Sequence, residues 1–365
     1  MPNQTLRNLE KKAKYFLWNL MALFVGKAPS PPALPLDFTR IHEVLVIRPD
    51  RLGDLVLSTP VYETLKKTYP HLNITVLAES TQAEILADNP NISHTFAFDP
   101  KYPLNTFHQL RDKHFDMTLT LNKKFSATAT FLTLCSGAKI RVGYEHRENV
   151  WVHNIRVPVK NPHQHETENN LELLRPLGIL ETRNQPQIYF NPKETKKIVA
   201  IIQKLRTPRD RPVVLIKSGT RIAKWGWRWE KFREVIEKLL KSKQAHVWLI
   251  NGPGEELMLE TAIAELQPAP KLLPQLTAKE LALLIQECDV LLCNHTGIMH
   301  LASAVDKPVC AIFKHGDVKR WGPLNAASVV LEEKDEDSLS PDVVFNTLLE
   351  MLNTKSSLPS IKESP

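Results

Sequence analysis

Apolar positions along the chain keep two rhythms, and the rhythms take turns. The run "EVLVIR" at residues 43–48 is short, apolar and rich in β-branched residues, which reads as a buried strand. Beyond the turn "PDRLGD" the spacing becomes helical and stays so to about Tyr69. The succession continues with "NITVLAES" as strand, "AEILADN" as helix, "HTFAFD" and "FDMTLTLN" as strands, "SATATFLTLCSGA" as helix and "RVGYE" as strand. After "NQPQIYFNPKE" it begins again: "PVVLIKSG" is a strand, "WEKFREVIEKLLK" an amphipathic helix, "AHVWLING" a strand and "EELMLETAIAEL" a helix. "TAKELALLIQEC" places Thr277 and Glu280 at the spacing of a capping box. It leads into the strand "DVLLCN", the helix "GIMHLASAV" and the strand "PVCAIF", and Ser340-Pro341 opens a last helix through about Leu352.

Strand and helix in alternation predict an α/β protein with doubly wound parallel sheets. Two such halves in a chain of 365 residues predict two Rossmann-like domains facing each other across a cleft. The expected division is residues 39–190 and 191–352, with a tail at 353–365. Residues 1–38 precede them as a basic amphipathic helix and a linker stiffened by four prolines between Pro29 and Pro35. Ligands of such sheets sit at the carboxyl ends of the strands, so the informative loops are 48–54, 218–228, 251–256, 294–297 and 314–322.

Charge and cysteine usage narrow the class. The net charge of +7 permits anionic partners without choosing among them. Much of it lies in residues 1–40, where Arg7, Lys11, Lys12, Lys14, Lys27 and Arg40 face only Glu10 and Asp37. "LRNLEKKAKYFLWNLMALFV" is too short in apolar residues to span a bilayer and lacks a convincing signal-peptide cleavage site. It reads as a helix in the membrane interface, with Tyr15, Phe16 and Trp18 at headgroup level; the alternative is a helix packed on the protein's own surface. Cys135, Cys288, Cys293 and Cys310 show no CxxC spacing and read as reduced core residues, which points to a cytoplasmic setting. No aromatic-interleaved basic strand or nucleic-acid-binding module is present.

The loops carry specific chemistry. The turn after the first strand lacks the glycines of a dinucleotide fingerprint and puts Asp54 at a helix mouth, where an incoming anion would be repelled. Arg48 and Arg51 flank it and are candidates for holding carboxylate or phosphate groups. "KSGTRIAKWGW" supplies Ser218, Gly219, Thr220, Arg221 and Lys224, a phosphate site without P-loop spacing; Trp225, Trp227 and Trp229 alternatively pack between domains. Glu255 or Glu256 in "NGPGEEL" can accept bonds from ribose hydroxyls or simply favour a helix start. Thr296 and Gly297 open a helix able to cradle a diphosphate, with His300 one turn on as a further ligand or a buried core residue.

The blocks "RLGDLVLSTPVYETLKKTYPHLNITVL", "ENNLELLRPLGI", "SGTRIAKWGW", "NGPGEE", "ELALLIQECDVLLCNHTGIMHLASAVDKPVCAIF" and "RWGP" resemble, in order and spacing, the family 9 glycosyltransferases, the lipopolysaccharide heptosyltransferases. The resemblance spans roughly residues 42–325. It implies the GT-B architecture and an inverting transfer that needs neither metal nor cofactor. The implied donor is ADP-heptose, and the implied acceptor an octulosonic acid or heptose of the inner core on lipid A. The resemblance also implies that this work is done at the cytoplasmic face of the anionic inner membrane. It makes Asp54 the general base, Thr220 and Lys224 phosphate contacts, Glu255 or Glu256 the ribose acid, and Thr296, Gly297 and His300 the diphosphate loop. One position departs: His295 stands where the family has an aspartate that holds donor-sugar hydroxyls. A neutral imidazole cannot offer a carboxylate's paired acceptors. The departure leaves three readings: another activated sugar such as N-acetylglucosamine, a weakened or inactive sugar-nucleotide binder, or a compensating acid such as Asp317. Lys314 also replaces a usual glycine, at the expected mouth of the cleft.

Overall fold

The computed structural model describes Trp18 and residues 27–180, 182–205, 207–208, 210–220, 222–252 and 256–356. The chain divides into two compact units, Met1–Asn184 and Gln185–Pro365.

In the first unit, strands β1 (Glu43–Arg48), β2 (Asn73–Glu79), β3 (His94–Phe98), β4 (Met117–Thr120), β5 (Ile140–Tyr144) and β6 (Ile155–Val157) form one sheet in the order β3-β2-β1-β4-β5-β6. Every pairing is parallel. Val44, Leu45, Val46 and Ile47 are all buried, as expected of a strand covered on both faces. Each such side chain stabilises the fold by roughly 1.5–3 kcal/mol relative to exposure.

The helix expected after β1 is broken into Leu52–Val56 and Thr59–Thr68. Pro60 has no N–H to give to the preceding turn, so the first helix stops and the second begins with proline in its first turn. "AEILADN" forms only a 3₁₀ turn, Ala83–Leu86. Asp88 adopts a left-handed φ of 64°, and Pro90 disfavours helical backbone at Asn89. The helix Pro103–Asp112 and the three-residue β6, whose Arg156 is exposed, have patterns too weak or too short to be legible in the sequence.

The second unit repeats the plan. Strands β7 (Val213–Lys217), β8 (His246–Leu249), β9 (Lys271–Leu272), β10 (Val290–Asn294), β11 (Val309–Phe313) and β12 (Val329–Glu332) run in the order β12-β11-β10-β7-β8-β9, again all parallel. Counted from its own first strand, this is the arrangement of the first unit, the Rossmann order 3-2-1-4-5-6. The Thr277 capping box forms as expected, with Thr277 accepting from the Glu280 N–H and Glu280 from the Thr277 N–H. Trp227 is buried in this unit's own core, 5.1 Å from Phe232, with its indole N–H on the Leu339 carbonyl. All four cysteines are buried as thiols, outside any disulfide.

Trp18 corrects one expectation. Its side chain is buried, its ring packs at a tilt 4.7 Å from Trp151 and 5.7 Å from Phe125, and it donates its indole N–H to the Glu148 carbonyl at 2.7 Å. A ring that finds two aromatic partners and an acceptor on its own protein is better satisfied there than at headgroup level. Tyr15, Phe16 and the rest of residues 1–17 lie outside the described residues, as do 357–365 in the expected tail.

Candidate active site

In a doubly wound sheet the chain reverses direction of winding beside its first strand, leaving a crevice between the loops of two neighbouring strands. In the first unit those loops follow β1 and β4. Arg48, the last residue of β1, points into the protein and is 2% exposed. Its guanidinium donates to Asp54 Oδ1 at 2.7 Å, Glu166 Oε1 at 2.9 Å, the Leu121 carbonyl at 2.7 Å and Asn170 Oδ1 at 3.3 Å. Asp50 lies 3.2 Å from its Nε. Asp50 also accepts from Asn122 at 2.7 Å, which bridges the two loops. Asn170 in turn donates to the Leu57 carbonyl, tying the helix Glu166–Glu172 to the segment that carries Asp54.

This geometry assigns roles. Burial opposes the Arg48 charge, but Asp54, Glu166 and Asp50 outweigh it and hold the guanidinium protonated. Asp50 is pushed the other way, above the usual carboxylate range, first by burial and then, against the pull of Arg48, by the charges of Asp54 and Glu166. The expectation that Arg48 holds acceptor groups is therefore corrected: the side chain is buried, its Nη groups are bonded within the protein, and one of them holds Asp54. Arg51 is exposed, with no ion-pair partner among the described residues. Asp54 sits in the first turn of its helix but accepts from Arg48 rather than capping. Its side chain is 20% exposed, and its Oδ2 accepts nothing from the described residues.

In the second unit the equivalent loops follow β7 and β10, and Asn294 joins them. Its Nδ2 donates to the Ser218 carbonyl at 2.5 Å and its Oδ1 accepts from the Trp227 N–H at 2.8 Å. Ser218 and Thr220 thus lie beside the Thr296–Gly297 turn, which opens the helix Gly297–Ala304. The Thr220 hydroxyl donates to the Ile222 carbonyl and that of Thr296 to Asn294. Lys224, in the short turn Ala223–Trp225, is exposed and has no ion-pair partner among the described residues. His300 is buried in its helix, 6.2 Å from Trp321.

His295 is held firmly. Its ring stacks on Phe313 at 4.2 Å, and Nδ1 lies 3.0 Å from the His315 carbonyl. A carbonyl only accepts, so Nδ1 carries the proton and Nε2 presents a lone pair. Burial lowers the imidazole's proton affinity, which keeps it neutral. Gly316, at φ 113°, covers the ring so closely that a Cβ there would come within 2.7 Å of it. The His315 ring stacks on Trp225 at 4.6 Å, linking the loops after β7 and β11. Asp317 caps the short helix Val318–Trp321 through the Lys319 and Arg320 N–H groups. Lys314 pairs with the buried Glu333 at 3.2 Å. Glu255 lies outside the described residues, and so does the side chain of Glu256, whose backbone begins the helix Glu256–Ile263.

Sequence reasoning missed Asp50, Asn122, Glu166 and Asn170 around Arg48, and Asn294 at the second crevice. The signal was present in part: a polar "ETENN" leading into the apolar "LELL" has no place in a core unless it serves something.

Two parallel units of Rossmann order in one chain, each with polar side chains gathered at its switch point, make up the GT-B class of glycosyltransferase fold. The chain belongs to glycosyltransferase family 9 (heptosyltransferase), whose family model matches residues 104–347. It is 28% identical over 285 residues to the lipopolysaccharide heptosyltransferase 3 of Escherichia coli (strain K12), covering 74% of this chain and 82% of that protein. Among solved structures it is similar to a family 9 glycosyl transferase from Veillonella parvula, with a TM-score of 0.78, 19% identity, and 88% and 99% of the two chains covered. It is also similar to the E. coli ADP-heptose lps heptosyltransferase II, with a TM-score of 0.72, 20% identity, and 86% and 100% covered. Asp54 lies ahead of the residues matched by the family model.

Proposed function

We propose that the enzyme transfers heptose from ADP-heptose, with inversion and without a metal ion, to an inner-core sugar of lipopolysaccharide, and that Asp54 is its general base. The observation that carries this reading is the asymmetry of the Asp54 carboxylate: Arg48 fixes Oδ1 at 2.7 Å, and Oδ2 is left to accept a proton. In a single displacement the acceptor hydroxyl attacks the anomeric carbon, Oδ2 takes its proton, and the bond to the ADP oxygen breaks. The departing diphosphate needs fixed positive charge and N–H donors. Lys224, the Ser218–Thr220 loop and the N–H groups at Thr296–Gly297 supply them, with Glu255 or Glu256 on the ribose. His300 backs that loop from within its helix. The first unit is thus the acceptor domain and the second the donor domain, with Arg51 binding an acceptor carboxylate or phosphate.

A lipid-linked acceptor and the basic residues of the N-terminal sequence support a reading in which this work is done at the cytoplasmic face of the inner membrane. No helix among the described residues is long and apolar enough to cross a membrane. A second reading, transfer of another nucleotide-activated sugar, is favoured by one observation: His295 offers a single acceptor where the family has a carboxylate. An assay with ADP-heptose, other ADP-sugars and UDP-N-acetylglucosamine against truncated core acceptors separates the two. Turnover confined to ADP-heptose is the expected result, and turnover confined to another donor would reverse the assignment.

A further inference from the structure

At the opposite edge of the first unit's sheet, where β1, β4 and β5 begin, lies a cavity of about 1050 Å³. Its lining runs from Pro32–Ile41 through the helix Pro103–Asp112 to the segment Leu134–Ile140. Asp54 stands past the other end of β1, a distance of about 20 Å for a six-residue strand, so this is not the reacting site. The volume is at the top of the roughly 300–1,000 Å³ typical of small-molecule pockets.

We propose that this cavity binds one anionic phospholipid, with its phosphate between Arg111 and Lys139 and an acyl chain against Leu36, Phe115 and Leu134. The charge pattern argues for an anion. The two acids of the lining are spent on the protein: Asp116 accepts from the His42 and Glu43 N–H groups, and Asp37 from Thr39 while pairing with Arg40. Arg111 and Lys139 are exposed and have no carboxylate partner among the described residues. Arg111 is held over the Phe107 ring at 5.6 Å, which brings a cation to the apolar wall. The floor argues for a chain rather than a free ion. Leu36, Phe107 and Leu134 line it partly exposed beside Ile41, Phe115 and Cys135, and burial raises the Cys135 thiol to about 11, so that wall stays neutral. A small anion would leave this apolar surface wet, whereas a cationic rim over an apolar floor matches a headgroup and its chain.

The proposal involves the first unit alone and is independent of the sugar transferred. It is tested on the full chain by calorimetry with dihexanoyl phosphatidylglycerol below its micelle-forming concentration, beside dihexanoyl phosphatidylcholine and glycerol 3-phosphate. Phosphatidylglycerol is expected to bind at least about tenfold more tightly than either, since one lacks the net charge and the other the chains. Arg111→Glu with Lys139→Glu should weaken it about tenfold or more while leaving phosphatidylcholine unchanged. Leu134→Trp, which fills the cavity, should abolish binding of both lipids with the unfolding temperature and sugar transfer retained. Equal binding of glycerol 3-phosphate would make the site one for a free anion and overturn the lipid assignment. Lipid binding untouched by both variants would place the contact elsewhere on the chain and overturn it too.

Discussion

Arg48 ends β1 with its guanidinium shared between Asp54 at 2.7 Å and Glu166 at 2.9 Å, so that one buried cation holds a partly exposed carboxylate and a fully buried one at once. Removing Arg48 takes away the cation paired with the buried Glu166, which otherwise accepts from the neutral Asn169 amide at 3.2 Å. Arg48→Met is expected to destabilise the first unit by about 3–5 kcal/mol, the cost of leaving a buried charge without its partner. Adding Glu166→Gln should restore most of that stability and none of the turnover, because Asp54 remains unheld. Thermal unfolding and initial rates of the single and double variants distinguish the two effects. A single variant as stable as the wild type would show that the cluster contributes nothing to folding.

Much of this was legible in the sequence, for physical reasons. Strands such as "EVLVIR" and "DVLLCN" declare themselves because both faces are covered, and Thr277 with Glu280 marks a helix start by a local bond. Asp54, Thr296 and Lys224 could be singled out because they lie in the segments that leave the ends of β1, β10 and β7. The role of Arg48 could not, since burial of a cation depends on Glu166 and Asn170, more than 100 residues away. The two-residue β9 and partly buried β12 carry too few apolar positions to show a period.

Lys224 is the simplest donor contact to test, being exposed and without an ion-pair partner among the described residues. Lys224→Ala is expected to weaken ADP binding by about ten- to a hundredfold, the usual scale for charge-assisted bonds to phosphate. Calorimetry measures it directly. ADP affinity within a factor of two of the wild type would remove Lys224 from the donor site.

His295 bears on the choice of sugar. Replacing it by aspartate restores paired acceptors but sets a carboxylate where Nδ1–H now bonds the His315 carbonyl. His295→Asp should therefore lower kcat, as the loop after β11 loses a tie, while raising the preference for ADP-heptose over other ADP-sugars by roughly 5- to 150-fold. Competition between two donors in one reaction gives the ratio. An unchanged ratio would separate this residue from donor choice.

Acid should loosen the first unit through His153, buried beneath Gly143 with Nε2 3.1 Å from the Thr120 hydroxyl. Burial, helped by the charges of Arg141, His146 and Arg156, drops its proton affinity to about 3. The folded state thus binds fewer protons than the unfolded chain between these limits. The stability is fully present above about pH 6.5 and is lost as pH falls toward 3, by up to about 1.4 kcal/mol per unit. His153→Gln should flatten that slope in a pH series of urea unfolding. A variant with the wild-type slope would assign the acid sensitivity to other groups.

The central claim, that Asp54 takes the acceptor's proton, is tested most directly by Asp54→Asn, which keeps the size of the side chain and removes its basicity. With donor and acceptor saturating, release of ADP should fall by about 10² or more, with donor affinity within about twofold of the wild type. Wild-type turnover in Asp54→Asn, with the first unit folded, would contradict it.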